Sequence, residues 1–398
     1  LIDSCNITRD DKYRIALLSD FYLFTRVFFK LRTNREWQVS TPVGRESHFV
    51  TITNAFTRVF YHQVTNLQIW CPPRYGKSEI CANFIAWALA RYPDSNFLYI
   101  SMSKELATDH TSTVRDIIML PEYQELFDTR ISSSTKSKDD FKTIQGGRVY
   151  AAGIGGTITG KGAGIQGSPR FGGALIIDDS IKPDEAPSDT IRNRVNGFYL
   201  NTLESRRNDP RTPFVHIGQR VHEDDLAANL DKQYDGHVWE KVCLPGLDAA
   251  GNALYPQKHT VEQLRNMQKH MPYIFSAQIQ QDPLPAGGAL FNPDWFVMMD
   301  NEPEMLTTFI TADTAETEQT FNDATVFSFW GIYRIKQGDI ETDDIGLHWI
   351  DCVETWVQPK DLENEFDSFY MGCLRHPTQP KYAYIEKKID WRHVGFDD

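Results

Sequence analysis

The segment Cys71-Pro72-Pro73-Arg74-Tyr75-Gly76-Lys77-Ser78 constrains this chain more than any other. Leu67-Gln68-Ile69-Trp70 precedes it with strand character, and Glu79 to Tyr92 follow with apolar residues at helical spacing. A Gly-Lys-Ser turn between a buried strand and a helix is the setting of a phosphate-binding loop. Backbone N–H groups of the loop and of the helix N-terminus can cradle phosphate oxygens there. Lys77 is expected to pair with the β and γ phosphates of ATP, and Ser78 to ligate Mg²⁺. Pro73, Arg74, Tyr75, Gly76 and Glu79 are expected to complete the cradle. Cys71 stands where such loops usually begin with glycine. Two prolines then remove N–H donors, so Gly76 and the helix start must supply the cradle.

Ala174-Leu175-Ile176-Ile177-Asp178-Asp179 is the natural partner of that loop. An apolar run ending in two acids reads as a buried parallel strand delivering carboxylates at its C-terminal edge, where ligands bind in such sheets. Asp178 is expected to hold Mg²⁺ and Asp179 to deprotonate the attacking water. Further strands are expected at 96–101, 148–152 and 214–218, with helices between them, which implies a parallel sheet with crossover helices. Residues 1–60 read as helical, with a buried helix or helix pair from Tyr13 to Leu31. The glycine-rich stretch Gly153 to Gly164 has two readings: a flexible linker, or a loop that senses nucleotide or grips DNA through Lys161.

Across 398 residues the net charge is −13, and the excess is local. Asp300 to Asp398 hold 21 acids against 8 bases, whereas residues 1–299 are neutral. The acidic quarter is either a solvated surface or a set of carboxylates gathered around divalent cations. No apolar run is long enough to span a membrane, and no signal peptide is expected. The six cysteines form no CxxC pair, which argues against a disulfide framework or zinc knuckle and suits a reducing compartment. His216, His222, His348 and His393 lack metal-site spacing. Asp282 to Pro293 is rich in proline and glycine and marks the linker. Beyond it strands are expected at 307–312, 324–334, 347–356 and 381–386, with a helix over 358–375.

Taken together, the segments PPRYGKSE (72–79), TITGKGAG (157–164), LIIDD (175–179), IGQRVHEDDLA (217–227) and FSAQIQQDPLPAGGALF (275–291) resemble the large terminase subunit of tailed double-stranded DNA bacteriophages. The likeness covers most of residues 60–295. It implies an α/β chain: an ASCE-type P-loop ATPase domain with a parallel sheet, followed by an RNase H-like nuclease domain. The expected boundaries are a helical lead-in at 1–60, the ATPase at 61–285, a linker at 286–298 and the nuclease, incomplete, at 299–398. The implied activity is ATP-driven pumping of double-stranded DNA into a procapsid, with endonucleolytic cutting of concatemers. The implied partners are DNA, a portal protein, a small terminase subunit and further copies in a ring, five-fold by family. The implied location is the host cytoplasm, transiently at the procapsid portal, with no membrane partner. In this reading Gly218-Gln219-Arg220 is the coupling segment, and Gln219 senses the γ-phosphate. Arg74 is a candidate for steadying transition-state charge in cis, and Arg170 a weaker one for a finger from a neighbouring subunit. A surface ion pair remains the plain alternative for both.

Two-metal phosphodiester cleavage needs carboxylates converging on two cations, here Mg²⁺ or Mn²⁺. Asp313 ends the strand Thr307 to Ala312, and Glu386 ends Tyr382 to Ile385. They match the family's two main metal ligands, and Asp323 is a further candidate. The third ligand is expected well downstream. Asp397 or Asp398 would represent it, on the expectation that the sequence omits segments of the natural chain. The competing readings are a helicase-like translocase without a nuclease, and a nucleotide-gated assembly protein whose C-terminal acids are only surface.

Overall fold

The computed structural model describes residues 8–232, 236–284, 296–299, 301–314, 324–337, 340–356 and 361–385. It divides into two compact units, Leu1–Pro293 and Asp294–Asp398.

The first unit is built on eight strands: β1 (Asn66–Trp70), β2 (Asn96–Ser101), β3 (Ile131–Lys136), β4 (Asp140–Thr143), β5 (Arg148–Gly153), β6 (Leu175–Asp178), β7 (Phe214–Gly218) and β8 (Glu240–Cys243). Their spatial order is β3-β4-β5-β2-β6-β7-β1-β8. From β5 to β8 every pairing is parallel, and β3 and β4 add an antiparallel edge. The central strands β1, β6 and β7 are buried at every position, as expected when both faces of a parallel sheet are covered. The five expected strands are all present. The edge strands β3, β4 and β8 go beyond that expectation, because their sequences are short and polar.

Helices cover the sheet: α1 (Arg9–Ser19), α2 (Phe21–Thr33), α3 (His48–Phe60), α4 (Lys77–Arg91), α5 (Lys104–Ile118), α6 (Pro121–Leu126), α7 (Asp189–Phe198), α8 (Leu226–Asp231), α9 (Val261–His270) and the single turn α10 (Pro272–Ile274). Asp20 separates α1 from α2 and caps the latter by accepting from the Leu23 N–H, so Tyr13 to Leu31 is a helix pair. Phe21, Phe24, Phe28, Phe56 and Phe60 pack with Phe84 and Trp87 of α4 in one apolar core that continues to Leu67 and Ile69 of β1. The N-terminal helices therefore brace the helix that follows the phosphate loop. A second core, on Leu98, Ile100, Leu175 and Ile177, packs against Val195 of α7 and Leu226 and Leu230 of α8.

The second unit has four strands, β9 (Met305–Asp313), β10 (Thr325–Gln337), β11 (Ile340–Thr355) and β12 (Pro380–Ile385), in the order β11-β10-β9-β12. The first three are antiparallel neighbours and β12 lies parallel to β9. A parallel return needs a crossover, which α11 (Leu362–Cys373) supplies. Its Leu362, Phe366 and Phe369 pack on Ile310, Phe327 and Phe329 of one sheet face. This 3-2-1-4 order with a helical crossover is the RNase H-like arrangement expected from the sequence. Asp323, Glu386, Asp397 and Asp398 lie outside the described residues, as does most of the expected linker.

Candidate nucleotide site and acidic strand end

Strand β7 lies between β1 and β6, so the chain segments leaving β1 and β6 emerge on either side of the C-terminal end of β7, at one sheet edge. Trp70 pairs with Gly218, and Asp178 pairs with Ile217. The phosphate loop and the two acids are brought together by that register.

Gly76 closes the loop at φ +83, the left-handed region that favours glycine. A Cβ there would also stand 2.9 Å from Phe49 Cε1 of α3. Gly76 is the N-cap of α4 and, among the described residues, no side chain caps the helix, which leaves its first N–H groups open toward the loop. Lys77 is 5% exposed, and its Nζ donates to the carbonyls of Cys71 (3.0 Å) and Pro72 (3.2 Å). The ammonium is thus drawn inside the loop, where phosphate oxygens would replace those carbonyls. Ser78 and Pro73 are half-buried beside it. Burial pushes the Cys71 thiol up to about 12, so the residue replacing the usual glycine stays neutral. Tyr75 is a scaffold residue: its carbonyl accepts from His48 Nε2 (3.1 Å) and its hydroxyl meets His259 Nδ1 (3.1 Å).

Arg74 is exposed at φ +63 and makes no ion pair with a described residue. It remains available to a ligand. Glu79 does not. Both its carboxylate oxygens accept from Arg32 Nη2 of α2, at 2.6 and 2.7 Å, and Oε1 also accepts from Asn83 Nδ2. The expectation that Glu79 joins the cradle is corrected to a structural tie between α2 and α4. Arg170 is likewise committed, with Nη2 on both oxygens of Asp94 (2.7 and 2.8 Å) and its guanidinium over the Tyr92 ring. The ion-pair reading holds for it.

Asp178 is 1% exposed. The Tyr99 hydroxyl of β2 donates to its Oδ2 at 2.6 Å, and His110 Nε2 of α5 stands 3.7 Å from the same oxygen. Oδ1 is buried without a partner among the described residues. A buried carboxylate oxygen left open is costly, and it suits a cation ligand. Asp179 sits at φ +49, and its Oδ1 accepts from the Gln219 N–H (3.3 Å). Burial raises its pKa, Lys77 opposes that, and neighbouring Asp178 raises it further. A raised carboxylate is a stronger base. The Gln219 side-chain Oε1 is also buried, without a partner among the described residues.

Arg220, of the expected coupling segment, is held by the protein itself. Its Nε donates to both oxygens of Asp225 at 3.0 Å, and its guanidinium lies over the Trp70 ring. Its backbone N–H donates to Gln281 Oε1 (3.0 Å), just before the expected linker. Sequence reasoning misses Gln281, Tyr99 and His110, which read as filler in apolar or polar runs. Lys161 pairs with Asp140 (3.3 Å) and covers the Tyr150 ring, so it does not reach the strand ends that carry Lys77.

No family model matches this chain, and no curated protein matches it. Among solved structures it is similar to the HK97 bacteriophage large terminase, at 14% identity over 94% of this chain and 75% of that one, with a TM-score of 0.42. It is similar to the large terminase of a thermophilic bacteriophage in complex with ADP, at 10% identity over 83% of this chain and 76% of that one, TM-score 0.34. The Phi-28 gp11 DNA packaging motor is similar at 10% identity, over 83% of this chain and 96% of that one, TM-score 0.31. Likenesses this distant do not assign a function, which must come from the strand-edge geometry.

In the second unit, Asp313 is the exposed last residue of β9. The last described residue of β12, Ile385, pairs with Ala312 beside it. Among the described residues, the side chains close enough to share a metal are His222, Glu223 and Asp224. Two of the three are already engaged: His222 Nδ1 accepts from the Asp224 N–H, and the Asp224 carboxylate accepts from Lys232.

Proposed function

We propose that this chain is the large subunit of a viral DNA-packaging motor. ATP hydrolysis in its first unit drives double-stranded DNA into a procapsid, and its second unit cuts concatemeric DNA. The observation that carries the reading is the convergence of Lys77, Asp178 and Asp179 at one sheet edge, with Asp178 Oδ1 buried and open among the described residues.

Lys77 and the first N–H groups of α4 hold the β and γ phosphates of ATP. Ser78 and Asp178 are the residues that fit Mg²⁺, which supplies charge neutralisation of the phosphates when bound. Tyr99 keeps Asp178 turned so that Oδ1 stays free. Asp179 orients the attacking water and accepts its proton. Gln219, on the amide that bonds Asp179, reports loss of the γ-phosphate to Arg220 and Gln281. Arg74, exposed on the loop, is placed to steady charge on the transferring group. Asp313 is the one described member of the nuclease set, and its strand-end position beside β12 supports that role for it; Glu386 is the second proposed acid. Asp323 and Asp398 complete the proposed acids, with Mg²⁺ or Mn²⁺ as the ions. A portal protein, a small terminase subunit and further copies of this chain in a five-fold ring are the proposed partners, in the host cytoplasm.

The test is hydrolysis of ATP with and without duplex DNA. Turnover that DNA stimulates and Lys77→Ala abolishes supports the motor. Metal-dependent plasmid cutting lost in Asp313→Ala separates it from a translocase without a nuclease. Nucleotide binding with neither DNA stimulation nor cutting would favour an assembly protein.

A further inference from the structure

The edge of the first sheet opposite the phosphate loop holds a second concentration of charge. Asn96 and Arg148 begin β2 and β5 there, and the glycine-rich segment folds back across them. The Gly164 N–H donates to the Asn96 carbonyl (2.9 Å), and Asn208 Nδ2 donates to the Gly164 carbonyl (3.0 Å). A Cβ on Gly162 would stand 2.3 Å from Asn208 Oδ1, so the loop is fixed at close quarters. The result is an open polar cleft of about 380 Å³, whose cations are Arg148, Lys161 and Arg206.

Among the described residues, no carboxylate lines the cleft. Asp140, outside the lining, pairs with Arg148 (Nε to Oδ1, 2.7 Å) and with Lys161. Arg206 makes no ion pair with a described residue, and its Nε is buried without an acceptor among them. Three cations and one acid leave a local excess of positive charge in a chain whose net charge is −13. An arginine guanidinium held half-buried without an acid is costly unless an anion completes it, and its planar fork suits phosphate oxygens. The asparagines are spent on holding the loop and Arg148 and Lys161 share one acid, which leaves Arg206 as the cation most open to a ligand.

We infer that the cleft of Arg148, Lys161 and Arg206 is a phosphate-binding site, separate from the phosphate loop. The phosphate has two possible sources, a nucleic-acid backbone or a free nucleotide. The shape is open and unselective, as contact with a passing sugar-phosphate strand requires. This site does not depend on the reading of the Lys77 loop.

The experiment uses the full chain, a fluorescein-labelled 20-base-pair duplex and ADP, with binding measured across a salt series. For the duplex, Arg206→Gln is expected to weaken binding roughly tenfold and to reduce the slope of log affinity against log salt by about one. Arg206→Lys is expected to keep most of that slope, and Lys161→Gln to act in the same direction as Arg206→Gln. The control is Lys30→Gln, an exposed cation of α2, which is expected to match the wild type. In the ADP arm, loss of a second binding event in Arg206→Gln would support the phosphate site and name the nucleotide as its source. Should Arg206→Gln fail to fold by thermal melting, Lys161→Gln decides alone. Wild-type affinity and salt slope for the cleft variants in both arms would overturn the inference.

Discussion

The Tyr99 hydroxyl donates to Asp178 Oδ2 across 2.6 Å, from the strand adjacent to the one that Asp178 ends. One oxygen of the carboxylate is thereby spent inside the protein and the other is left for a ligand. Tyr99→Phe keeps the packing of a fully buried ring but strands that oxygen. It is expected to destabilise the first unit by about 1–3 kcal/mol. It should also raise the Mg²⁺ concentration needed for nucleotide binding while sparing metal-free ADP binding. Urea unfolding and an Mg²⁺ titration of ADP affinity check the two halves.

Gly76→Ala combines two penalties. The left-handed backbone costs an L-residue roughly 1–2 kcal/mol, and the added Cβ meets Phe49 at 2.9 Å. A lowered melting temperature and weakened ADP binding are expected together. A Phe49→Leu background, which removes the ring but not the φ, should recover part of the loss and not all of it.

His48 gives the fold a pH dependence. Burial pushes its pKa down to about 4, against the Tyr75 carbonyl, and Arg45 and Lys77 push it further down. In the unfolded chain the ring titrates near 6.5. Between those values the unfolded state binds a proton that the folded state does not, so stability rises with pH through the window and is fully present above it. On the order of 3 kcal/mol is at stake. Chemical unfolding from pH 4 to 7 should show the slope, and His48→Gln, which can still donate to Tyr75, should reduce it, the remainder coming from His216, which burial also pushes down to about 4.

The two chemistries are expected to separate. Lys77→Ala should stop ATP hydrolysis and leave plasmid cutting intact, whereas Asp313→Ala should do the reverse. Initial-rate ATPase assays and gel electrophoresis of supercoiled DNA read both. Loss of both activities in either single variant would contradict the assignment.

Much of this site was legible because its chemistry is local in sequence. Gly76, Lys77 and Ser78 lie between a buried strand and a helix, and Asp178 and Asp179 end an apolar run. Such patterns survive without knowledge of the fold. What could not be read depends on contacts between distant residues. Glu79 follows the loop directly, yet Arg32, 47 residues earlier, claims its carboxylate. Tyr99 reads as one more apolar residue in Asn96 to Ser101 until β2 is placed beside β6. The edge strand β3, with its exposed serines, lacks the apolar alternation that marks a strand. In the second unit four strands and one helix were legible as apolar runs, whereas their order was implied only by the family resemblance and the acidic set depends on residues beyond those described.

The most direct measurement is calorimetric titration of the intact chain with ADP and Mg²⁺, beside the Lys77→Ala variant. The account predicts saturable binding of one nucleotide at the loop after Trp70, abolished or greatly weakened in the variant. Absence of uptake by folded wild-type protein, or equal uptake by the variant, would contradict it.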